Sequence, residues 1–465
     1  MSVLPDIFVL GVALAASVLI ASALVSGLVD RTGFPPAILF LVIGLAIGPF
    51  GAAWLDVGAD SMLLRIVGTL SLVFVLFTDA VSISPAKVRA HGLTTFLVLV
   101  PGTLGTAAAV AGLAWWLLGF DPLSAIAMGA AIASLDPVLL RGFLRRPALS
   151  APVRETLRLE SGMNDAVLLP VILVCTFLLV PRGADGPGIG GLLFGMLVAS
   201  PLAGAAVGGA GVGVLHLVRR RFGVRRDYES LYSLGLALGA YAAGEALHGS
   251  GFLAAFTAGL TVAAIDVDLC ECFLEYGETT AEMALLFTFV LFGVSLIWSG
   301  LTLPAAAWLF AAAVIAARVL IYLVALLPAG LRFRQRLLIA WFGPRGLNTL
   351  LLVMIPVAAG VEAGPRMLAV CCLVVLVSVV AHGFSPLLLR GGARPADARD
   401  PREFISVEET RQLVELGRAI VVDARAERNY EGPEPGMVRV RPDHAVHDAR
   451  ALDLPRDAVL AVLCA

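Results

Sequence analysis

The densest run of side chains able to do chemistry in this sequence of 465 residues is Glu160-Ser161-Gly162-Met163-Asn164-Asp165. It lies within an apolar stretch, residues 153–180. On a helix, Glu160 and Asn164 are one turn apart, as are Ser161 and Asp165. At 100° per residue the four polar side chains span about 140°, one wide stripe on an otherwise apolar surface. A hard cation is bound by carboxylate, hydroxyl and carbonyl oxygens. Asp165, Ser161 and Asn164 offer those oxygens or neighbours for them. A proton and a small cation would compete for the single carboxylate of Asp165, and such competition is the physical core of antiport.

Two further constellations carry a charge beside a helix breaker. In Ser134-Leu135-Asp136-Pro137, the proline removes a backbone donor and pushes Asp136 out of helical geometry. Gly343-Pro344-Arg345-Gly346 is a second break. The exposed helix ends are partial charges, positive at an N-terminus and negative at a C-terminus. Asp136 is suited to the first and Arg345 to the second, and Asp136 is also a candidate ion or proton ligand. Arg318 lies in the apolar run AAARVLIYLV with no local acid. It needs a carboxylate from another helix. Glu160 is the candidate partner, because Asp165 must stay free to exchange its ligand. Asp79, in VFVLFTDAVSIS, is a candidate gate or cavity residue.

The elements that must position these groups are membrane spans. Hydrophobic residues make up 59% of the chain and charged residues 15%. That is well below the charged fraction of about 25% in soluble domains. Mean hydropathy is +0.92, so the bilayer has to be the solvent. Apolar runs suggest about thirteen spans: 6–29, 34–50, 62–80, 92–118, 123–141, 153–180, 189–218, 229–247, 251–265, 279–298, 301–329, 333–358 and 364–389. The N-terminal 29 residues read as the first span and not as a cleaved signal peptide. With the N-terminus outside, the cytoplasmic loops hold Arg31, Lys87, Arg89, Arg141, Arg145, Arg146, Arg154, Arg158, Arg219, Arg220, Arg221, Arg225, Arg226, Arg332, Arg334 and Arg336, with Arg390 and Arg394 after the last span. The opposite side holds Arg65, Arg182 and Arg366. This asymmetry fits the positive-inside rule and makes the C-terminus cytoplasmic, with the chain in the inner membrane.

The intramembrane charges Asp79, Asp136, Glu160, Asp165, Arg318 and Arg345 would together cost roughly 15–20 kcal/mol if unpaired. They must therefore pair, face water or titrate. The two breaks fall in the fifth and twelfth spans. An odd offset of seven gives the halves opposite orientation, the inverted-repeat pattern in which broken helices cross at the midplane. The fold class expected is thus an all-α polytopic membrane protein with inverted repeats and two broken crossing helices. A small partial α/β tail follows.

A net charge of −2 gives no reason to expect a nucleic-acid partner. The six cysteines show no secreted-scaffold spacing, and Cys270-x-Cys272 lacks nearby partners for a metal site. No cofactor is expected. Three parts follow from composition: a transmembrane part, 1–390; a charged, proline-containing linker, 391–404; and a soluble α/β part, 405–465. In the last, a helix is expected from Val407 to Gly417 and a strand from Ala419 to Asp423.

The motifs FPPAILFLVIGLAIGP, LFTDA, SLDPV, ESGMNDA, GSGFLAAFTAGL and FGPRG, with Arg318, cover residues 5–390. Together they resemble the monovalent cation:proton antiporters of the Na+/H+ exchanger, NhaP-like, type. The resemblance implies that Asp165 carries the ion or proton, that the Asn164-Asp165 order accompanies electroneutral one-for-one exchange of Na+ or K+ for H+, and that Glu160 and Arg318 form a buried ion pair. It also implies a homodimer in the lipid bilayer, and a transporter instead of an enzyme. One departure is Leu135, where a threonine usually precedes the aspartate; cation selectivity is where that difference would act. The tail resembles the first two-thirds of a rhodanese-like domain through ISVEETRQLV, IVVDAR with Asp423 and Arg425, Tyr430 and LPRDAVLAVLCA. Cys464 matches the sulfur-carrying cysteine. The alternative function this implies is a membrane-anchored sulfurtransferase or sulfur sensor. The loop that would cradle a persulfide is not in the sequence, so an incomplete site is expected there.

Overall fold

A computed structural model describes residues 36–83, 91–144, 149–180, 189–222, 226–265 and 267–388, parts of the tail at 419–424, 437–440 and 459–463, and isolated positions besides. The expected first span, 6–29, the linker and Cys464 lie outside the described residues, apart from isolated positions in the first. The chain divides into two compact units, Met1–Gly391 and Gly392–Ala465.

The first unit is helical, as backbone buried in hydrocarbon demands. Without water, each N–H and C=O has to be satisfied within its own segment. Helix α1 runs Pro36–Ile47, α2 Met62–Ser82, α3 Gly92–Leu118, α4 Pro122–Ala133, α5 Pro137–Leu144 and α6 Ala151–Leu179. They are followed by α7 Gly195–Phe222, α8 Arg226–Ala246, α9 Gly251–Ile265, α10 Val267–Val294, α11 Ala305–Ala325, α12 Phe333–Trp341, α13 Leu347–Ala358 and α14 Gly364–Leu388. Among the described residues, six helices are long and apolar enough to cross a membrane unaided. A seventh span arises if Thr280–Val294 and the 3-10 turn Leu296–Thr302, bent by 49°, count as one.

Local chemistry sets the ends. Asp121 caps α4, accepting a hydrogen bond from the Ser124 N–H at 3.0 Å, with Pro122 in the first turn. Gly119 closes α3 at φ 67°, a left-handed conformation that a side chain would strain. Pro170 does not interrupt α6. Pro101 leaves α3 continuous but widens it into a π-helical stretch, Val98–Leu104, which the periodicity did not foretell. The expected run 279–298 differs most. Its helix begins earlier, at Val267, and stops at Val294. There the Ser295 hydroxyl donates to the Val57 carbonyl at 2.6 Å and the Trp298 indole N–H donates to the Gly293 carbonyl at 2.6 Å. Pro304 then starts α11 four residues later than the apolar run suggested.

Helices α4 and α13, of 12 residues each, are too short to cross. Each spans about 18 Å, against a hydrocarbon core of about 30 Å. Each pairs with a short neighbour, α5 or α12, across a break, and the breaks touch: the Asp136 N–H donates to the Pro344 carbonyl at 3.0 Å. Around them one apolar core joins α1, α2, α4, α6, α10, α13 and α14. Trp115, Trp116, Leu202, Leu320 and Val324 are exposed, an outer surface suited to lipid and not to water.

In the second unit, β1 Ala419–Asp423 is the centre of a three-stranded parallel sheet, with β2 Met437–Arg439 and β3 Val459–Leu463 on its sides. The strand expected at Ala419–Asp423 has those bounds. Thr410, Arg411 and Val414 of the expected preceding helix are helical.

Helices α1 and α10 approach through glycine. A Cβ on Gly293 would stand 2.6 Å from the Leu41 carbonyl oxygen and 2.9 Å from its Cα. Overpacking of this kind costs about 1–3 kcal/mol. Gly293→Leu is expected to lower the melting temperature in detergent, and an unchanged unfolding curve would show that the two helices do not hold this contact in the folded protein.

Candidate functional site

Where α4 and α12 stop, their last carbonyls lack intrahelical partners; where α5 and α13 start, their first N–H groups do. Four such ends meet in the interior, and charged side chains serve all of them. The Asp136 carboxylate accepts from the Leu139 N–H of α5 at 3.1 Å and from the Leu347 N–H of α13 at 2.7 Å. One anion thus faces both positive ends. The Arg345 guanidinium donates to the carbonyls of Ala133 and, at 3.0 Å, of Ser134, at the negative end of α4. Arg318 donates to the Ile339 carbonyl, in the last turn of α12, at 3.3 Å. Gly346 makes the arrangement possible, because a Cβ there would lie 2.7 Å from the Asp136 carboxyl carbon.

Arg318 and Glu160 form a bidentate ion pair, at 2.6 and 3.0 Å, with Arg318 3% exposed and Glu160 fully buried. The geometry is the planar fork that suits a guanidinium to a carboxylate. Tyr322, one turn beyond Arg318 on α11, donates its hydroxyl to Glu160 at 2.6 Å, and its ring lies under the guanidinium at 4.1 Å. Its oxygen is also 3.1 Å from the Thr103 hydroxyl, in the π-helical stretch of α3. Gly102 leaves room for the ring: a Cβ there would stand 2.9 Å from it. The pair therefore ties together α3, α6, α11 and α12.

Asp165 lies on α6, little more than one turn beyond Glu160, and is 1% exposed. One carboxylate oxygen accepts from the Ser134 hydroxyl at 2.8 Å; the other accepts from the Asn348 side-chain amide at 2.8 Å. Ser134 belongs to the first break and Asn348 to the first turn of α13, so Asp165 bridges both broken spans. Each donor is neutral. Asn164 is fully buried, and neither its amide nitrogen nor its oxygen has a hydrogen-bond partner among the described residues. Ser161 is on the edge of burial on the same helix. At Gly162, between them, α6 faces the end of α2: a Cβ there would lie 3.7 Å from the Asp79 carbonyl oxygen. Asp79 is buried in the last turn of α2, and its carbonyl accepts from Ser82 at 2.7 Å. Pro137 is the first residue of α5.

The pattern of charges and breakers left out Asn348, Tyr322 and Thr103, and quoted Ser134 only as part of a break. Tyr322 could have been found from its spacing of four from Arg318. Asn348 had a weaker signal, a polar residue two positions after Gly346 in an apolar run.

Removing one partner of a buried pair leaves the other charge stranded, at a cost of about 3–5 kcal/mol. Glu160→Ala strands Arg318 and the Tyr322 hydroxyl, whereas Asp165→Asn leaves a neutral near-isostere. The first is expected to lower thermal stability in detergent far more than the second. Equal or reversed shifts would contradict this account of the pair.

The family model for "Sodium/hydrogen exchanger, transmembrane" matches residues 18–389. The K(+)/H(+) antiporter NhaP of Alkalimonas amylolytica is 25% identical over 378 residues, which is 80% of this chain and 65% of that protein. The chain thus spans less than two thirds of that relative's length. The Na(+)/H(+) antiporter NhaP of Pseudomonas aeruginosa is 26% identical over 393 residues, 76% of this chain and 89% of that one. The structure of the sodium proton antiporter MjNhaP1 from Methanocaldococcus jannaschii at pH 8 superposes with a TM-score of 0.68 at 19% identity, covering 83% of this chain and 99% of that one. It is a likeness of fold. With crossed broken helices in its fold and a family model spanning most of its length, this chain belongs to the transmembrane sodium/hydrogen exchanger family.

Proposed function

We propose that the protein is a secondary antiporter that exchanges a monovalent cation, Na+ or K+, for H+, one for one, with Asp165 as the carrier. The observation that carries this reading is how the buried charges are used. Asp136 and Arg345 serve the broken helix ends, and Arg318 and Glu160 serve each other. Among the described residues, Asp165 is held by a hydroxyl and an amide alone. Of these five charges, it is the one that a proton or a cation can neutralise without dismantling the scaffold. Either ligand leaves the site with the same net charge, so exchange of one for the other moves no net charge.

Asn164 and Ser161 flank the carrier on α6 as further oxygen donors to a partly dehydrated cation. In this reading Asp136 is chiefly a scaffold group, because both of its oxygens already accept backbone N–H bonds. Asp79 supports access from the cytoplasmic end of α2. Relatives named for K+ and for Na+ both match, which supports a monovalent alkali cation without selecting one. The reading places the protein in the inner membrane with about thirteen spans, N-terminus outside and C-terminus cytoplasmic, as a homodimer.

Reconstituted in proteoliposomes with an imposed cation gradient, the wild-type protein is expected to move protons without net current. Asp165→Asn should abolish that movement. Exchange retained by the variant would remove Asp165 from the mechanism, and a sustained current would mark a pore.

A further inference from the structure

The side-chain amide of Asn348 occupies an unusual position. Its nitrogen is 2.8 Å from an Asp165 carboxylate oxygen, 2.9 Å from the Ser134 hydroxyl and 3.4 Å from the Leu135 carbonyl. All three are acceptors towards it. The carboxylate and the carbonyl cannot donate, and the serine has committed its proton to the other Asp165 oxygen. An N–H2 group therefore stands among a carboxylate, a hydroxyl and a backbone carbonyl, the oxygen types that a hard cation requires. Leu135 contributes only its backbone. Its side chain is packed in an apolar cluster with Leu140, Phe143 and Phe342. The other atom of the amide, Asn348 Oδ1, is buried and has no hydrogen-bond partner among the described residues. The residue is 1% exposed. Buried acceptors are rarely left unused in folded proteins.

We propose that Asn348 is a cation ligand and a determinant of ion preference, acting through rotation of its amide. The inference rests on the reading of Asp165 as the carrier. The terminal torsion of asparagine is soft and close to two-fold, so a half-turn exchanges nitrogen and oxygen with little movement of other atoms. With nitrogen inward, the amide itself partners the charged Asp165. With oxygen inward, two acceptors face one another at hydrogen-bonding distance, an arrangement that is stable when a cation lies between them. The loaded site then comprises Asp165, the Ser134 hydroxyl, the Leu135 carbonyl and Asn348 Oδ1. Because the amide reaches from α13 to α4 and α6, the distance it sets between those helices selects for ion size.

The test is cation-dependent exchange by the full-length protein in proteoliposomes with Li+, Na+ and K+, for wild type, Asn348→Leu and Asn348→Asp, with Asp165→Asn as control. Asn348→Leu removes the ligand oxygen. It is expected to raise the apparent KM at least about tenfold for the preferred cation and to change the order of preference. Asn348→Asp keeps the shape and offers only oxygens, so at alkaline pH it is expected to lower the apparent KM; it decides the matter if the leucine variant does not fold. A structural role alone would lower the maximal rate and leave the KM ratios among the cations unchanged. Unchanged ratios in a folded variant would overturn the assignment. If Asp165→Asn is inactive while the Asn348 variants keep wild-type constants, the Asn348 assignment fails alone; if Asp165→Asn still exchanges, both readings fail.

Discussion

A helix that stops or starts inside the hydrocarbon leaves backbone groups with no water to receive them, and this chain brings four such helix ends to one place. Everything near the site follows from how those ends are satisfied. The Asp136 carboxylate lies between the N-termini of α5 and α13 and accepts from both. Arg345 reaches the C-terminus of α4, and Arg318 that of α12. The Asp136 N–H bond to Pro344 joins the two breaks directly. Partial charges of about half a unit at each end are thereby met by full charges of opposite sign. Such a crossing is held by electrostatics that hydrocarbon does not screen, and it exposes polar backbone only to protein.

The second layer is the Glu160–Arg318 pair. Arg318 at a helix end is useful only if its own charge is balanced, and Glu160 balances it through two hydrogen bonds. Tyr322 then ties Glu160 to Thr103 and to the π-helical stretch of α3. These groups fix α6 in rotation and height. Once Glu160 is fixed, Asp165 is delivered to the gap between Ser134 and Asn348. Asp165, the proposed carrier, is thus positioned by a neighbour on its own helix, while its own contacts remain with neutral groups. In the proposed mechanism, rigid surroundings and an exchangeable ligand are reconciled by giving the two acids of α6 different tasks.

Much of this was legible in the sequence because membrane insertion makes charge conspicuous. An arginine in AAARVLIYLV has to find an acid, and among the intramembrane acids Glu160 was the one that could be spared. Helices with a proline and a charge at the same point announced the breaks at 134–137 and 343–346. Other features left no such trace. The bend after Val294 depends on Ser295 and Trp298 finding particular carbonyls, which hydropathy does not register. The π-helical stretch at Pro101 preserves an apolar run and so is invisible to periodicity. Asn348 and Ser134 are neutral, and their importance comes from tertiary contacts over more than 30 residues of chain separation. In the tail, the strand Ala419–Asp423 was clear from its β-branched alternatives to helix, Ile420, Val421 and Val422, whereas its partners depend on parallel pairing across distant segments.

The central claim is that one carboxylate holds a proton or a monovalent cation and never both. It is tested most directly by counting the protons released when cation binds the purified protein, by calorimetric titration in buffers of different ionisation enthalpy at a pH where Asp165 is protonated. The account predicts release of one proton for each cation bound, and none in Asp165→Asn. Cation binding without proton release, or release undiminished in that variant, would contradict it.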